Sequence, residues 1–110
     1  MTINEYQRQA LRTESKARDH DRILQGLMGL NGEAGEAIDI LKKHYFHGHT
    51  LDTKHLALEL GDIAWYLALS ADALGYDLET VLRLNIEKLR KRYPDGFETE
   101  RSVNRETGDI

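Results

Sequence analysis

The sequence lacks cysteine and has a single proline, Pro94. Disulfides, thiolate metal sites and cysteine nucleophiles are therefore excluded, and few positions interrupt a helix. No apolar run approaches the roughly 20 residues that a membrane-spanning helix needs, and the alternation typical of strands is absent. The polar N-terminal stretch MTINEYQRQALRTE does not fit a signal peptide. We expect a cytoplasmic protein that does not bind membranes.

The sequence also lacks a basic excess, since its formal net charge is −4 and its pI is about 5.7. Binding to a nucleic-acid polymer requires a basic surface, so that class of partner is not expected. Any phosphate ligand must be met by local cations. The length of 110 residues predicts one domain, 1–110, in which burial is modest enough that oligomerisation would add stability.

Apolar residues at intervals of three and four predict an all-α, four-helix bundle. The expected helices run from about 3 to 15, from about 21 to 44, from about 54 to 74, and from Asp77 until Pro94 stops the fourth. Helices 2 and 3 each carry two apolar faces, which four short helices cannot cover, so the bundle is expected to be completed by oligomerisation. Residues from about 94 to 110 are expected to form a C-terminal tail, with 107–110 loose.

Two acidic pairs of equal spacing lie in helices 2 and 3. They are Glu33 with Glu36, and Glu59 with Asp62. Residues three apart share one helix face, so two facing helices would bring four carboxylates together. Such crowding is unfavourable without a cation. Oxygen-only ligands favour Mg²⁺, with Mn²⁺ as a possible substitute.

Glycines recur every third residue through helix 2, at Gly26, Gly29, Gly32 and Gly35. Each weakens the helix by up to about 1 kcal/mol relative to alanine. Either close helix packing or close approach of a ligand would compensate for this loss.

Three histidines near the end of helix 2, His44, His47 and His49, raise the alternative of a zinc site. Zinc requires a fourth ligand and a more rigid setting than this glycine-containing connection. Loop histidines near a ligand entrance are the favoured interpretation.

Further polar residues lie on apolar helix faces. Tyr66 falls on one line with Glu59 and Asp62. In helix 4, Asn85 sits in the centre of the apolar stripe, and Lys88 and Arg92 follow on the same side. The alternative for helix 4 is that its amide sets helix register and both cations are solvated.

The segments GLNGEAGEAIDILKK, LALELGDIAWYLA and NIEKLRKRYPDGF together resemble the MazG-like all-α nucleoside triphosphate pyrophosphohydrolases, over most of the chain. The resemblance implies that a nucleoside triphosphate is split into the monophosphate and pyrophosphate. It also implies a dimer, or a tetramer built from dimers. The residues it implies to bind Mg²⁺ and to carry catalysis are Glu33, Glu36, Glu59 and Asp62.

On this resemblance, the remaining polar residues become candidates for substrate binding. We expect Lys88 and Arg92 to meet phosphate, and Asn85 to hydrogen-bond sugar or phosphate. Tyr66 would border the nucleotide, whereas Trp65 lies off the carboxylate line and is expected in the core.

One position departs from the family pattern. Many relatives carry a further glutamate directly before the first acidic pair, where this chain has Gly32. The general base is therefore open: it is Glu33, Glu36 or Glu59, or the metal activates the water without a separate base.

Other functions compete with this one. The same architecture serves dUTP or phosphoribosyl-ATP cleavage, and nothing in the sequence specifies the base. A di-iron bundle requires Glu-x-x-His pairs that the chain lacks at suitable places. A non-catalytic helical interaction module would not require convergent carboxylates.

Overall fold

The computed structural model describes residues 1–15 and 21–110, and every regular element among them is a helix. The helices are α1 (Ile3–Leu11), α2 (Arg22–His47), α3 (Thr53–Ala73), α4 (Leu78–Arg92) and α5 (Thr99–Val103). The all-α prediction is confirmed. The sequence did not predict α5, which at 5 residues is too short to display a helical period.

The chain divides into two compact units, Met1–Leu78 and Glu79–Ile110. The first contains α1, α2 and α3, and the second contains nearly all of α4 together with α5. That the chain is one domain stays a prediction. No helix in the described part of the chain is both long enough and apolar enough to cross a bilayer.

Helix α1 begins as predicted but ends earlier. At its start, Glu5 N donates to Thr2 Oγ1 at 3.1 Å and Thr2 N donates to Glu5 Oε2 at 3.2 Å. The predicted continuation to residue 15 is wrong, because the Ala10 carbonyl accepts from the Thr13 hydroxyl at 2.7 Å and from the Trp65 indole N–H at 3.0 Å. These donors satisfy a carbonyl that a longer helix would have used. The charged run from 14 to 22 can be interpreted from the sequence either as a helix extension or as a connection, and its central part, 16–20, lies outside the described residues.

Helix α2 continues beyond the predicted end at His44. It ends only at His47, because Gly48 follows with a φ of 72° and His49 N donates back to the Lys43 carbonyl at 3.1 Å. A left-handed residue after the last turn is the usual helix stop, and glycine adopts it at low cost. His44 and His47 are therefore helical rather than loop residues. The ring Nδ1 of His44 lies 2.8 Å from the His49 carbonyl oxygen.

The other predicted helices agree with the structure to within one residue or two at each end. Helix α3 starts after Asp52, whose side chain accepts from His55 N at 2.9 Å as an N-cap. Helix α4 ends before Pro94, as expected from its missing N–H.

Helices α2 and α3 approach closely where small residues face each other. Gly26 is buried, and a Cβ at this position would overlap Ser70 Oγ and lie 3.3 Å from Ser70 Cα. One turn later, a Cβ at Gly29 would overlap the Tyr66 ring. Close packing therefore explains these two glycines.

Helix α1 is joined to α3 by a buried glutamine that the sequence did not single out. Gln7 Nε2 donates to the Ala68 carbonyl at 3.1 Å, while Gln7 Oε1 accepts from Leu78 N at 2.9 Å. Trp65 adds a second link through a 2.8 Å hydrogen bond to Thr13 Oγ1. The buried apolar residues of the described chain are Ala10, Ala68, Leu69, Ala71 and Leu78.

An apolar groove of about 370 Å³ remains uncovered between α2 and α3. Its lining residues are Ala34, Ala37, Ile38, Leu41, Leu56, Leu60 and Ile63. Ile38 is 61% exposed and Leu60 is 58% exposed. The groove agrees with the expectation that helices 2 and 3 carry more apolar surface than the chain covers. Completion of the bundle by oligomerisation stays a prediction.

Measurements of unfolding free energy distinguish a glycine that permits helix packing from one that does not. Gly26→Ala should lower the free energy of unfolding by about 1–3 kcal/mol, because the methyl group would overlap Ser70 Oγ and crowd Ser70 Cα at 3.3 Å. Gly35→Ala should raise it by up to about 1 kcal/mol, because no atom lies within 4 Å of the new Cβ and alanine favours the helix. Urea unfolding measures both. Equal stability of the two variants would contradict the packing assigned to Gly26.

Candidate metal and active site

Three carboxylates from two helices converge in the first unit. Glu33 from α2 and Glu59 and Asp62 from α3 each offer an oxygen, and these oxygens all lie within 4.8 Å of one another. The close approach at Gly26 and Gly29 brings the two helices together on the N-terminal side of Glu33. The convergence of one acidic pair with a member of the other follows from this packing.

Two of these carboxylates are poorly solvated. Glu59 is only 9% exposed, although it carries an ionisable group. One oxygen of Glu59 and one of Glu33, both Oε2, are buried and have no hydrogen-bond partner among the described residues. A buried carboxylate oxygen without a partner is unfavourable, so a bound proton or cation would stabilise this arrangement.

The electrostatics of Glu33 agree with this geometry. Burial is the largest of the causes that together raise the pKa of Glu33 to about 7; the others are a hydrogen bond with the Glu59 carboxyl and the charges of Glu36, Asp62 and Glu59. All of these causes disfavour the charged form. Near neutral pH, the protein without metal therefore holds a proton at Glu33 for part of the time.

The fourth predicted carboxylate, Glu36, is placed differently. It is exposed and does not belong to the group of three. It lines an open groove that it shares with Glu59. Its assignment as a metal ligand stays a prediction.

Two grooves border the carboxylates. The first has about 390 Å³ and is lined by Thr13, Glu33, Asp62, Trp65 and Tyr66. Tyr66 thus lies beside two of the carboxylates, as its line on the helix predicted. The Trp65 ring packs edge-on against Tyr66, with centroids 5.0 Å apart, while its N–H is held by α1. Trp65 therefore packs against α1 and also borders the groove.

The second groove has about 520 Å³ and is lined by Gly32, Gly35, Glu36, Asp39, Ile40, Lys43, His55 and Glu59. No atom lies within 4 Å of a Cβ built at Gly32 or Gly35. The glycine series therefore divides: Gly26 and Gly29 permit packing, whereas Gly32 and Gly35 leave open space beside the carboxylates.

His55 is a residue of this site that the sequence analysis missed. Its Nε2 lies 3.2 Å from Glu59 Oε1. The four-residue spacing on α3 was the available signal, but such pairs are common on exposed helix faces. Only the burial of Glu59 makes this one notable.

The predicted substrate-binding residues of α4 lie in the second unit. Asn85 and Lys88 are exposed. Arg92 instead forms a two-pronged ion pair with Asp109, with both N–O distances at 2.7 Å, and the two side chains are 10% and 11% exposed. Arg92 lowers the pKa of the Asp109 carboxyl. The expectation that 107–110 is loose is wrong for Asp109, and phosphate binding by these residues stays a prediction.

The residues present fit a hard divalent cation. Every donor in the cluster is a carboxylate oxygen, and Glu33 and Glu59 each have one buried oxygen without a hydrogen-bond partner among the described residues. Such donors suit Mg²⁺ or Mn²⁺. Across 1–15 and 21–110, no other group of three or more acidic, histidine or cysteine side chains converges in this way. The cluster contains none of His44, His47 and His49, for which zinc binding is the disfavoured alternative.

Comparison with known proteins gives two matches. Residues 19–97 match the family model of the MazG nucleotide pyrophosphohydrolase domain. The Gene 37 protein of Mycobacterium phage L5 is 40% identical over 73 residues, which make up 63% of this chain and 64% of that protein. The match thus spans less than two thirds of this relative. No solved structure matches the chain.

The raised pKa of Glu33 predicts a pH dependence of stability in EDTA. The folded protein binds more protons at Glu33 than the unfolded chain between about pH 4.5 and about pH 7. The contribution of this group to stability is therefore full below pH 4.5 and is lost as the pH rises through 7. Relative to wild type, Glu33→Gln should flatten the fall of melting temperature over this range.

The control is Glu87→Gln, which removes an exposed carboxylate 3.9 Å from Arg83. Its melting temperatures should follow those of wild type across the same pH range. If the melting temperature of Glu33→Gln depended on pH in the same way as that of wild type, the raised pKa of Glu33 would be contradicted.

Proposed function

The chain belongs to the MazG nucleotide pyrophosphohydrolase family, and we propose that it hydrolyses a nucleoside triphosphate to the monophosphate and pyrophosphate with Mg²⁺. The observation that carries the proposal is the pair of buried, partnerless oxygens on Glu33 and Glu59 beside Asp62. A structural role would leave these oxygens paired, because unpaired buried charge destabilises a fold. Cation binding accounts for their retention.

In this proposal, Glu33, Glu59 and Asp62 hold Mg²⁺, for which Mn²⁺ could substitute, and Glu36 completes the set from the groove. The bound cation supplies charge neutralisation at the phosphate oxygens. The carboxylates position it, and the burial of Glu59 on α3 limits the movement of that side chain. Positioning and charge neutralisation are what this type of transfer mainly requires of a protein.

The chemical step is attack by water on the α-phosphorus. An oxygen–phosphorus bond forms, the bond to the β-phosphate bridge breaks, and pyrophosphate leaves with the electron pair. The proton from water requires an acceptor. Of the three candidate bases, we favour Glu36, acting partly free of the metal, because its carboxylate lies in the same groove as Glu59 but outside the convergent group of three.

Substrate binding is proposed for four further residues. Tyr66 borders the nucleotide from the groove it shares with Glu33. Lys88 and Asn85 are exposed and can meet phosphate or sugar. Arg92 can do so only where a phosphate oxygen replaces the carboxylate of Asp109.

We also propose that the protein is a homo-oligomer, a dimer or a tetramer built from dimers. The uncovered groove along α2 and α3 would be the contact surface, since an apolar face of this kind is buried in most stable proteins. Its exposed centre is formed by Ile38 and Leu60.

Two other functions are less well supported. Cleavage of dUTP or of phosphoribosyl-ATP would use the same carboxylates, and a panel of nucleotides assayed for pyrophosphate separates them. A non-catalytic interaction module does not account for converging carboxylates. A cytoplasmic location is part of the proposal.

The assigned site is tested by Glu59→Gln, which removes one charge with little change of shape. Mg²⁺-dependent release of pyrophosphate should fall by at least about tenfold, and the rise in melting temperature on adding Mg²⁺ should shrink. In EDTA the variant should be more stable than wild type by about 1 kcal/mol, because repulsion in the cluster is relieved. Pyrophosphate assays and melting curves with and without Mg²⁺ measure these effects.

The matched control is Asp39→Asn. Asp39 lines the same groove, but its carboxylate is paired with Lys42 at 3.3 Å and Lys43 at 3.0 Å. Its loss should leave the Mg²⁺ effect on melting temperature intact. Full activity of Glu59→Gln would refute the assignment of Glu59 to the active site. Lost activity with unchanged stability in EDTA would refute only the claim that repulsion among the carboxylates destabilises the protein.

The contact surface is tested by Ile38→Asp, which places a charge in the apolar groove. Wild type should have at least the mass of a dimer by light scattering at micromolar concentration, and the variant should shift toward the monomer. Val103→Asp, which alters an exposed apolar residue of α5, should not change the mass. A monomeric wild type would refute the proposed assembly.

A further inference from the structure

Glu59 has two carboxylate oxygens in different settings. Oε1 lies 3.2 Å from His55 Nε2, whereas Oε2 is buried and has no partner among the described residues. An ionised carboxylate only accepts hydrogen bonds, so the imidazole must carry its proton on Nε2 and donate. The contact therefore fixes one oxygen of the pair.

His55 is itself held at the start of α3. Its backbone N–H is bound by the N-cap Asp52 at 2.9 Å, and its ring stands one helical turn before Glu59. The ring is 54% exposed and borders both the groove shared with Glu59 and a neighbouring groove lined by His49. A half-exposed ring adds little packing to the core, so its main contact is the one with the carboxylate.

We propose that His55 is a positioning residue for the metal site, which holds Glu59 Oε1 and so keeps the carboxylate in the orientation that places one of its oxygens near those of Glu33 and Asp62. Carboxylates that bind metals are usually oriented by such hydrogen bonds from neighbouring side chains. Without the imidazole, the Glu59 side chain can rotate and offer its oxygens to solvent. The cation then binds a less ordered ligand.

This inference rests on the proposed function, because it assigns His55 to the metal of that site. Its test is the affinity for Mn²⁺, measured by calorimetry at pH 8 without nucleotide, so that turnover is not the readout. In His55→Ala, the dissociation constant for Mn²⁺ should rise by about 10-fold to 100-fold. His55→Gln keeps a donor at the same spacing and should recover most of the lost affinity.

His49→Ala is the control, since His49 lines the neighbouring groove and no contact joins its ring to Glu59 in the described structure. It should bind Mn²⁺ as wild type does. In turnover assays, His55→Ala should require more Mg²⁺ for half-maximal rate, while its rate at saturating Mg²⁺ changes less.

The possible outcomes distinguish failure of the role assigned to His55 from failure of the proposed function. If wild type neither binds Mn²⁺ nor releases pyrophosphate, the proposed function fails and this inference with it. If wild type does both and His55→Ala binds Mn²⁺ equally well, only the role of His55 is refuted. A His55→Gln variant as weak as His55→Ala would also refute it, because the donor would then not be the cause.

Discussion

The burial of like charges between α2 and α3 is the constraint on which the rest of the site depends. Glu33 and Glu59 lose hydration where the helices pack, and their carboxylates repel one another and Asp62. Such an arrangement persists only when packing elsewhere supplies the lost stability. The close contacts at Gly26 and Gly29, and the hydrogen bonds of Gln7 across α1 and α3, provide that support.

The glycines of α2 show how one residue type serves two purposes along one helix. In the N-terminal half, the missing side chain lets α3 approach, and at Gly32 and Gly35 the same absence leaves a groove open beside Glu36 and Glu59. The helix becomes less favourable at each glycine, but the first two are repaid by packing. No packing contact in the described structure explains the last two, which agrees with the proposal that a ligand approaches the carboxylates there.

The sequence predicted what depends on local pattern and missed what depends on distant contacts. Helix α3 has its N-cap, Asp52, and helix α4 has its stop, Pro94, in the local sequence. The spacing of three residues placed Glu59 and Asp62 on one helix face. The early end of α1 could not be predicted, because it depends on a hydrogen bond that the indole N–H of Trp65, on α3, donates to the Ala10 carbonyl. The Arg92–Asp109 pair joins residues 17 apart in sequence, and the significance of His55 depends on how deeply Glu59 is buried.

Under the proposed function, protons and cations are alternative occupants of this cluster. A pKa of Glu33 near 7 means that a proton relieves part of the crowding when no metal is bound, and the cation must displace that proton because a metal ligand binds in its ionised form. The raised pKa of Glu33 and the proposed affinity for a cation thus have the same cause, which is the burial of the carboxylates. A better solvated cluster would be easier to fold, but it would hold the cation less tightly, since water would compete for each oxygen.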